Sequence, residues 1–241
     1  MTAYAHSKEG CPHEEWQTLH EHLLRVANDA SRYASFFGGG ELAKLAGLWH
    51  DFGKYAPDWQ QFLFDAQAGS TREDASVLGD DTPDERRTTR RRGPDHSTAG
   101  AIQARRTIAN AAVRKTIEFV VAAHHGGLAD RSDLDRRLTD PEKISRYEGL
   151  LRGVDPAVVA TNAPSDVPPF VHRSGAQDGA RAFEFFVRMI FSAVVDADFI
   201  DTERFLDVTG ARTSNRSEWL LLSEYIRPLE AHLQDLGARA T

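Results

Sequence analysis

Apolar residues recur at three- and four-residue spacing along most of this chain, while the alternation typical of β-strands is scarce. The spacing predicts helices over residues 13–37, 41–51, from Pro57 onward, 96–110, 113–125, 141–151, 179–204 and 215–236. Three glycines at 38–40 end the first helix. We therefore predict an all-α fold, a helical bundle that forms a single domain over residues 1–241.

Two stretches interrupt the helical pattern. Residues 69–95 are rich in Asp, Glu, Arg, Thr and Gly, which predicts a long mobile loop. Residues 155–175 contain four prolines and are predicted to be an irregular, proline-rich loop.

The charge balance limits the possible partners. Lys and Arg total 29 against 36 Asp and Glu, so the formal net charge is −7. This argues against a passive DNA coat that relies on a globally basic surface. A nuclease remains possible, because bound divalent cations and one local basic strip can supply positive charge at a phosphate.

One basic strip lies inside the predicted mobile loop, just before His96. Its members are Arg86, Arg87, Arg90, Arg91 and Arg92. Such a run is either a solvated loop or a guide that directs a DNA backbone toward the residues that follow it. We expect it to bind nucleic acid.

Any metal in this protein must be held by nitrogen and oxygen, since Cys11 is the single cysteine. No apolar stretch approaches the roughly 18 residues that span a bilayer, and residues 1–10 do not resemble a secretory signal. We expect a cytoplasmic protein that does not associate with a membrane.

The most informative short motif is His50-Asp51-Phe52-Gly53-Lys54, at the end of an apolar helix. There an imidazole nitrogen and a carboxylate can converge on one ion. The alternative is a buried histidine capped by an aspartate. Lys54 is either a catalytic cation or a solvated lysine at a helix end.

Two histidines lie on the first predicted helix. His20 falls on the apolar stripe beside Leu19 and Leu23, while His22 falls on the polar side. A buried imidazole must satisfy both ring nitrogens, and a metal ion on one of them does so. His20 is therefore the candidate ligand, with a satisfied core histidine as the alternative.

Two later segments add histidines at helix ends. His96 begins one helix, and His124 and His125 follow an apolar run over 117–123. Two adjacent histidines at the end of a buried helix lose hydration unless a ligand compensates. The alternative is a pair of surface histidines near a turn.

Carboxylates extend the candidate set near residue 198. Asp198 continues the apolar stripe of its helix and is the preferred ligand, while Asp196 remains a second candidate. An acid on such a face needs a cation or strong donors to stay ionised. Five histidines with two or three aspartates exceed the needs of one tetrahedral zinc and fit two neighbouring divalent ions, which can share a bridging hydroxide.

In order and neighbours, these segments resemble the HD nuclease domain of type I CRISPR systems, a member of the HD superfamily of metal-dependent phosphohydrolases. The matching segments span nearly the whole chain and are Ala5-His6-Ser7, 19–23, 50–54 with 59–62, His96-Ser97 with Gly100, 124–126, and 192–198 followed by 201–203.

The resemblance implies a helical HD fold and metal-dependent cleavage of single-stranded DNA in CRISPR interference. It assigns His20, His50, Asp51 and Asp198 to one ion, with Asp196 still open. It assigns Asp51, His96, His124 and His125 to the other, so that Asp51 bridges. The implied partners are a superfamily 2 helicase domain or subunit and the CRISPR RNA-guided surveillance complex. The sequence has no Walker motif of its own.

Our mechanistic hypothesis is attack by a metal-bridging hydroxide on a DNA phosphodiester, with Asp51 and Lys54 as the catalytic residues. A mixed shell of His and carboxylate suits manganese, iron, cobalt or nickel, with magnesium also possible. Two alternatives remain open: an HD phosphohydrolase that acts on nucleotides or cyclic nucleotides, and a non-catalytic binding module that a metal stabilises.

Overall fold

The computed structural model describes residues 2–8, 10–67, 93–159, 162–172, 176–207 and 222–239. These residues form helices and two short strands, so the predicted all-α fold is confirmed. Within the described ranges, no helix combines the length and the apolar character needed to span a membrane.

The α-helices are α1 (Leu19–Ser35), α2 (Gly40–Trp49), α3 (Pro57–Gln67), α4 (Ser97–Thr107), α5 (Ala111–Ala123), α6 (Arg131–Leu138), α7 (Pro141–Leu150), α8 (Pro156–Val159), α9 (Ala176–Leu206) and α10 (Leu222–Arg239). The 3-10 turns are His13–Glu15, Phe52–Tyr55, Leu151–Gly153 and Pro169–His172.

The first helix begins later than predicted. Strand β1 (Tyr4–His6) pairs antiparallel with β2 (Gln17–Thr18), so the chain is extended immediately before α1. The Thr18 side chain then accepts a hydrogen bond from the backbone N–H of Glu21, which caps the helix. The prediction of one helix from His13 is therefore wrong, because pairing with the N-terminal strand keeps Gln17 and Thr18 extended.

Helix α6 was not predicted from the sequence. Its only buried residues are Leu134 and Leu138, four positions apart, so its apolar pattern is too sparse to stand out. Asp130 accepts a hydrogen bond from the backbone N–H of Asp133 at 2.8 Å and caps the helix.

The two predicted loops are only partly described. Residues 68–92 lie outside the described residues, and with them the arginines at 86, 87, 90, 91 and 92. In the proline-rich stretch 155–175, the structure has α8 and one 3-10 turn among irregular backbone. Trp49 Nε1 donates to the backbone oxygen of Val158 at 2.9 Å and fastens α8 to the end of α2.

The chain divides into two compact units, Met1–Thr202 and Glu203–Thr241. The prediction of a single domain over 1–241 stays a prediction. In the first unit α1 packs along α2, and α4 packs along α5. The segment after α2 also meets the start of α4: Gly53 N–H donates to His96 O at 3.0 Å, and a Cβ on Gly53 would lie only 2.3 Å from that oxygen. Gly53 therefore permits the contact that brings two motifs together.

Candidate metal centre

Seven chemically related side chains converge inside the first unit, and five separate segments supply them. The helices deliver most of them at their ends, where the backbone leaves the helical path. The members are His22, His50, Asp51, His96, His124, His125 and Asp198. They form two groups that share Asp51, and in each group the candidate ligand atoms lie within 4.8 Å of one another.

The first group is His22, His50, Asp51 and Asp198, and all four residues are buried. His22 Nε2 lies 3.4 Å from Asp51 Oδ2 and 3.3 Å from Asp198 Oδ1. His50 Nε2 lies 3.3 Å from Asp51 Oδ2 and 3.6 Å from Asp198 Oδ1. Two imidazoles and two carboxylates thus face one small space.

The second group is Asp51, His96, His124 and His125. Asp51 turns its other oxygen toward this group: Oδ1 lies 3.4 Å from His96 Nε2 and 3.3 Å from His124 Nε2. His96 is only partly buried and His125 is exposed, so this half of the centre opens toward solvent. Asp51 therefore offers one oxygen to each group.

Two of the rings are oriented by the helices that carry them. His50 follows α2 and its Nδ1 lies 2.7 Å from Gly47 O, while His124 follows α5 and its Nδ1 lies 2.8 Å from Val121 O. The last carbonyls of a helix lack partners within the helix, so each ring donates its Nδ1–H there. Each Nε2 is thereby directed at the centre, where its lone pair would bind a metal ion in place of a proton.

His22 is oriented by a carboxylate that the sequence analysis did not assign to the site. Its Nδ1 lies 2.8 Å from Asp201 Oδ2, and the Gln17 side chain donates to the same oxygen at 2.6 Å. Asp201 is completely buried and follows Asp198 by one helical turn on α9. That spacing of three was visible in the sequence, but only the fold shows that His22 is its partner.

His6 on β1 also adjoins the centre. Its ring meets the ring of His22 edge-on with centroids 4.9 Å apart, and its Nε2 lies 3.2 Å from Thr202 Oγ1. Burial and the nearby Lys54 hold the pKa of His6 well below its usual value, so the ring is neutral. In the sequence, His6 belongs to the segment Ala5-His6-Ser7, and no role was predicted for it.

The first group favours positive charge. Burial alone would lower the pKa of His22, but hydrogen bonds with Asp198, Asp201 and Asp51 outweigh it and raise that pKa to about 10. Burial likewise opposes protonation of His50, yet Asp51 and Asp198 raise its pKa to about 9. The two Nε2 atoms are 3.2 Å apart, close enough for a proton on one ring to be donated to the other, so the group attracts positive charge at the place where a metal ion would bind.

The two shared carboxylates are ionised. Burial by itself would raise the pKa of Asp51, but Lys54 and His50 hold it well below its ordinary range. Asp198 behaves in the same way, because His50 and His22 overcome the effect of its burial. Burial lowers the pKa of His96 to about 4, so its ring is neutral and has a lone pair to offer.

Three atoms of the second group test whether a metal ion fits. Asp51 Oδ1, His96 Nε2 and His124 Nε2 are buried and have no hydrogen-bond partner among the described residues. Buried polar atoms are rarely left without a partner, because each loses its hydration. A cation at their meeting point would satisfy all three, so the residues present fit a metal ion.

Lys54 is buried at the edge of the centre. Its Nζ lies 2.7 Å from Asp51 Oδ2, donates to Ala5 O at 3.3 Å and lies 4.8 Å from the centre of the Trp59 ring. A solvated lysine at a helix end, the alternative considered above, does not describe this residue. Its ammonium compensates part of the negative charge of Asp51.

His20 lies on the wrong side of α1 for the role predicted for it. The buried positions of the helix begin Leu19, His22, Leu23 and Val26, so His22 belongs to the apolar stripe and His20 does not. His20 instead pairs with Asp155 at 3.1 Å near the surface. The prediction that His20 is buried and His22 polar-facing is wrong, and His22 takes the place expected for His20.

The structure also places both candidate aspartates of α9. Asp198 is buried in the first group, whereas Asp196 lies exposed two positions earlier. A shift of two residues turns a side chain by about 200° around a helix, so both cannot face the centre. The five arginines of the basic strip lie outside the described residues, and their role stays a prediction.

The assignment of His22, and not His20, to the first group can be tested directly. We expect His22→Ala to reduce the bound metal to half or less of the wild-type content, because it removes a buried nitrogen from the first group. His20→Ala is the matched control and should leave the metal content unchanged. Metal analysis after purification without chelator measures both, and equal losses in the two variants would contradict the assignment.

Comparison with known proteins supports this picture of the site. The family model described as HD domain matches residues 19–155, more than half of the chain. The matched range includes every member of the two groups except Asp198. No curated protein sequence matched the chain.

Proposed function

Because the chain belongs to the HD domain family, whose members are generally metal-dependent phosphohydrolases, we propose that it is a nuclease that cleaves single-stranded DNA in type I CRISPR interference. The family accounts for metal-dependent hydrolysis of a phosphate ester. The choice of DNA as substrate rests on the order and neighbours of the motifs, from Ala5-His6-Ser7 to the aspartates of α9.

A single observation carries the proposal: two groups of ligands share one buried carboxylate, Asp51. A carboxylate with one oxygen in each group can bridge a pair of adjacent ions. The first ion would be held by His22, His50, Asp51 and Asp198, and the second by Asp51, His96, His124 and His125. The mixture of imidazole and carboxylate donors suits manganese, iron, cobalt or nickel, with magnesium also possible.

When bound, two divalent ions would lower the pKa of a water molecule to provide the nucleophile and would neutralise charge on the phosphodiester. The protein's own residues prepare the centre for this chemistry. Gly47 O, Val121 O and Asp201 hold the Nδ1–H groups of three histidines, which keeps their Nε2 lone pairs directed inward.

Lys54 and Asp51 act together as the catalytic residues of the proposal. The ammonium keeps Asp51 ionised and supplies a positive charge beside the first group. It is held by Ala5 O and the Trp59 ring, so it stays in place when charge develops on a nearby phosphate.

The partly open second group supports a polymer as substrate. His96 is partly buried and His125 exposed, so an extended strand could reach the centre without entering a closed pocket. The arginine strip at 86–92 precedes His96 and would attract the DNA backbone. Unwinding of duplex DNA would come from a superfamily 2 helicase domain or subunit, with recruitment by the CRISPR RNA-guided surveillance complex.

A substrate comparison tests the proposal. We expect linear and circular single-stranded DNA to be cleaved in the presence of Mn²⁺, and cleavage to stop when a chelator removes the ion. Nucleotides and cyclic nucleotides, tested at the same enzyme and ion concentrations, should be hydrolysed far more slowly. Hydrolysis of nucleotides with intact DNA would instead favour a small-substrate phosphohydrolase, and metal binding without any hydrolysis would favour a binding module.

A further inference from the structure

Arg137 on helix α6 contacts both of the segments that carry histidines of the second ligand group, the start of α4 and the end of α5. Arg137 lies between the two buried positions of the helix, and its side chain is 29% exposed. Nη1 donates to Ala122 O at 2.7 Å, and Nε donates to Thr98 Oγ1 at 2.6 Å. Nη2 donates to Ser97 Oγ at 2.6 Å and to Asp95 Oδ1 at 3.2 Å. One guanidinium thus joins the end of α5 to the start of α4.

At the end of α5 each late carbonyl has a different donor. The His124 ring donates to Val121 O, and the N–H groups of Gly126 and Gly127 donate to Ala123 O. Arg137 donates to the carbonyl oxygen of Ala122, which lies between these two residues in the chain. Because the end of a helix leaves its carbonyls without intrahelical donors, Arg137 completes the turn from which His124 and His125 project.

At the start of α4 the same guanidinium binds on both sides of His96. Asp95 precedes that histidine and Ser97 follows it, and Arg137 donates to both. Asp95 also accepts from the backbone N–H of Thr98 at 3.1 Å and from Lys143 Nζ at 2.8 Å. The backbone around His96 is therefore held from α6 and α7.

We propose that Arg137 is a positioning residue for the second ion, an inference that rests on the metal-dependent function proposed above. It fixes His96 relative to His124 and His125, while its hydrogen bonds go to Asp95, Ser97, Thr98 and Ala122. The ligands of the first group lie on α1, after α2 and on α9, whereas the four hydrogen bonds of Arg137 within the described residues all go to the segments around α4 and α5. Replacement of Arg137 should therefore weaken the binding of the second ion much more than the binding of the first.

Replacement by lysine is the sharpest test, because lysine retains the charge but not the planar fork that bonds several acceptors at once. Outer partners of metal ligands typically contribute 10–100-fold to affinity. Arg137 bonds the neighbours of the ligands and not the ligands themselves, so we expect Arg137→Lys to raise the dissociation constant of the second Mn²⁺ by about 10-fold, the lower end of that range, while that of the first ion is unchanged. Calorimetric titration of ion-free protein with Mn²⁺ gives both constants, and electron paramagnetic resonance reports loss of the spin-coupled pair.

The neighbouring Arg136 supplies a matched control, since its exposed side chain pairs with Asp133 on the surface of the same helix. Arg136→Lys should bind both ions as the wild type does. Should Arg137→Lys fail to fold, Ser97→Ala offers a second test, because it removes one of the four hydrogen bonds of Arg137. We expect Ser97→Ala to weaken the binding of the second ion alone, and by a smaller factor than Arg137→Lys.

The outcomes separate this inference from the proposed function. Two ions bound equally tightly in wild type and variant would overturn the role of Arg137 and leave the nuclease proposal standing. An equal loss of both affinities would indicate general loosening of the fold and would also overturn it. A wild-type protein that binds fewer than two ions would remove the proposed function and the inference together.

Discussion

Replacing Asp51 with asparagine should empty both ligand groups and abolish metal-dependent hydrolysis. Each Asp51 oxygen faces one group, so asparagine would present N–H donors to one group and would remove the negative charge that both groups share. The variant should retain no stoichiometric metal, and its cleavage rate should fall by about 10²–10³-fold, the range found when a preorganised electrostatic group is removed from an enzyme. Metal analysis and a single-stranded DNA cleavage assay measure the two effects.

The same substitution should destabilise the ion-free protein. Lys54 Nζ lies 2.7 Å from the Asp51 carboxylate and is buried, so it would lose its charged partner. Breaking a buried ion pair from one side costs about 3–5 kcal/mol of unfolding free energy, which denaturant titration can detect. Asp196→Asn is the control, because the Asp196 carboxylate is exposed. This change should alter neither the metal content nor the unfolding free energy. Normal metal content in Asp51→Asn would exclude a shared carboxylate.

The second large effect concerns Gly100, where α4 crosses the end of α2. A Cβ added to Gly100 would lie 1.9 Å from the backbone oxygen of Trp49 and 3.0 Å from a methyl group of Val121. Neither helix can retain its position, because the nearest obstacle is backbone and not a flexible side chain. We expect Gly100→Ala to lower the unfolding free energy by about 3 kcal/mol, near the upper end of overpacking effects.

Thermal unfolding should reveal this loss as a decrease in Tm of roughly 6–12 °C, given about 2–4 °C per kcal/mol for a chain of this size. Gly149→Ala offers a matched control within α7, since a Cβ there meets no atom within 4 Å. That change should stabilise the protein slightly, by about 0.5–1 kcal/mol, because alanine has the higher helix propensity. Equal Tm values for Gly100→Ala and the wild type would show that the two helices do not meet in this way.

Much of the helical framework follows from the sequence. The periodic apolar positions identified α2, α3, α4, α5, α7 and α9 within a few residues, since packing against a core imposes that spacing. Helix α6 was not predicted, because it packs through only two leucines and through the polar contacts of Arg137, and neither produces a periodic apolar pattern. The arginines at 86–92 remain a prediction from sequence alone.

The chemical types of the candidate ligands were also evident. His50, Asp51, His124 and His125 stand where apolar helices end, and this placement alone predicts imidazole and carboxylate groups near a buried space. The choice of His20 over His22 was wrong, because the buried stripe of α1 runs through Leu19, His22 and Val26, and His22 lies three residues after the first and four before the last.

The helical character of this protein, and the nitrogen and oxygen donors at the ends of its helices, could be predicted because both properties depend on residues close together in the chain. The contact of His22 with Asp201, the sharing of Asp51 by two groups and the link that Arg137 makes between the segments bearing His96 and His124 became evident only in the fold. These contacts join residues far apart in sequence, and their distances depend on how whole helices pack.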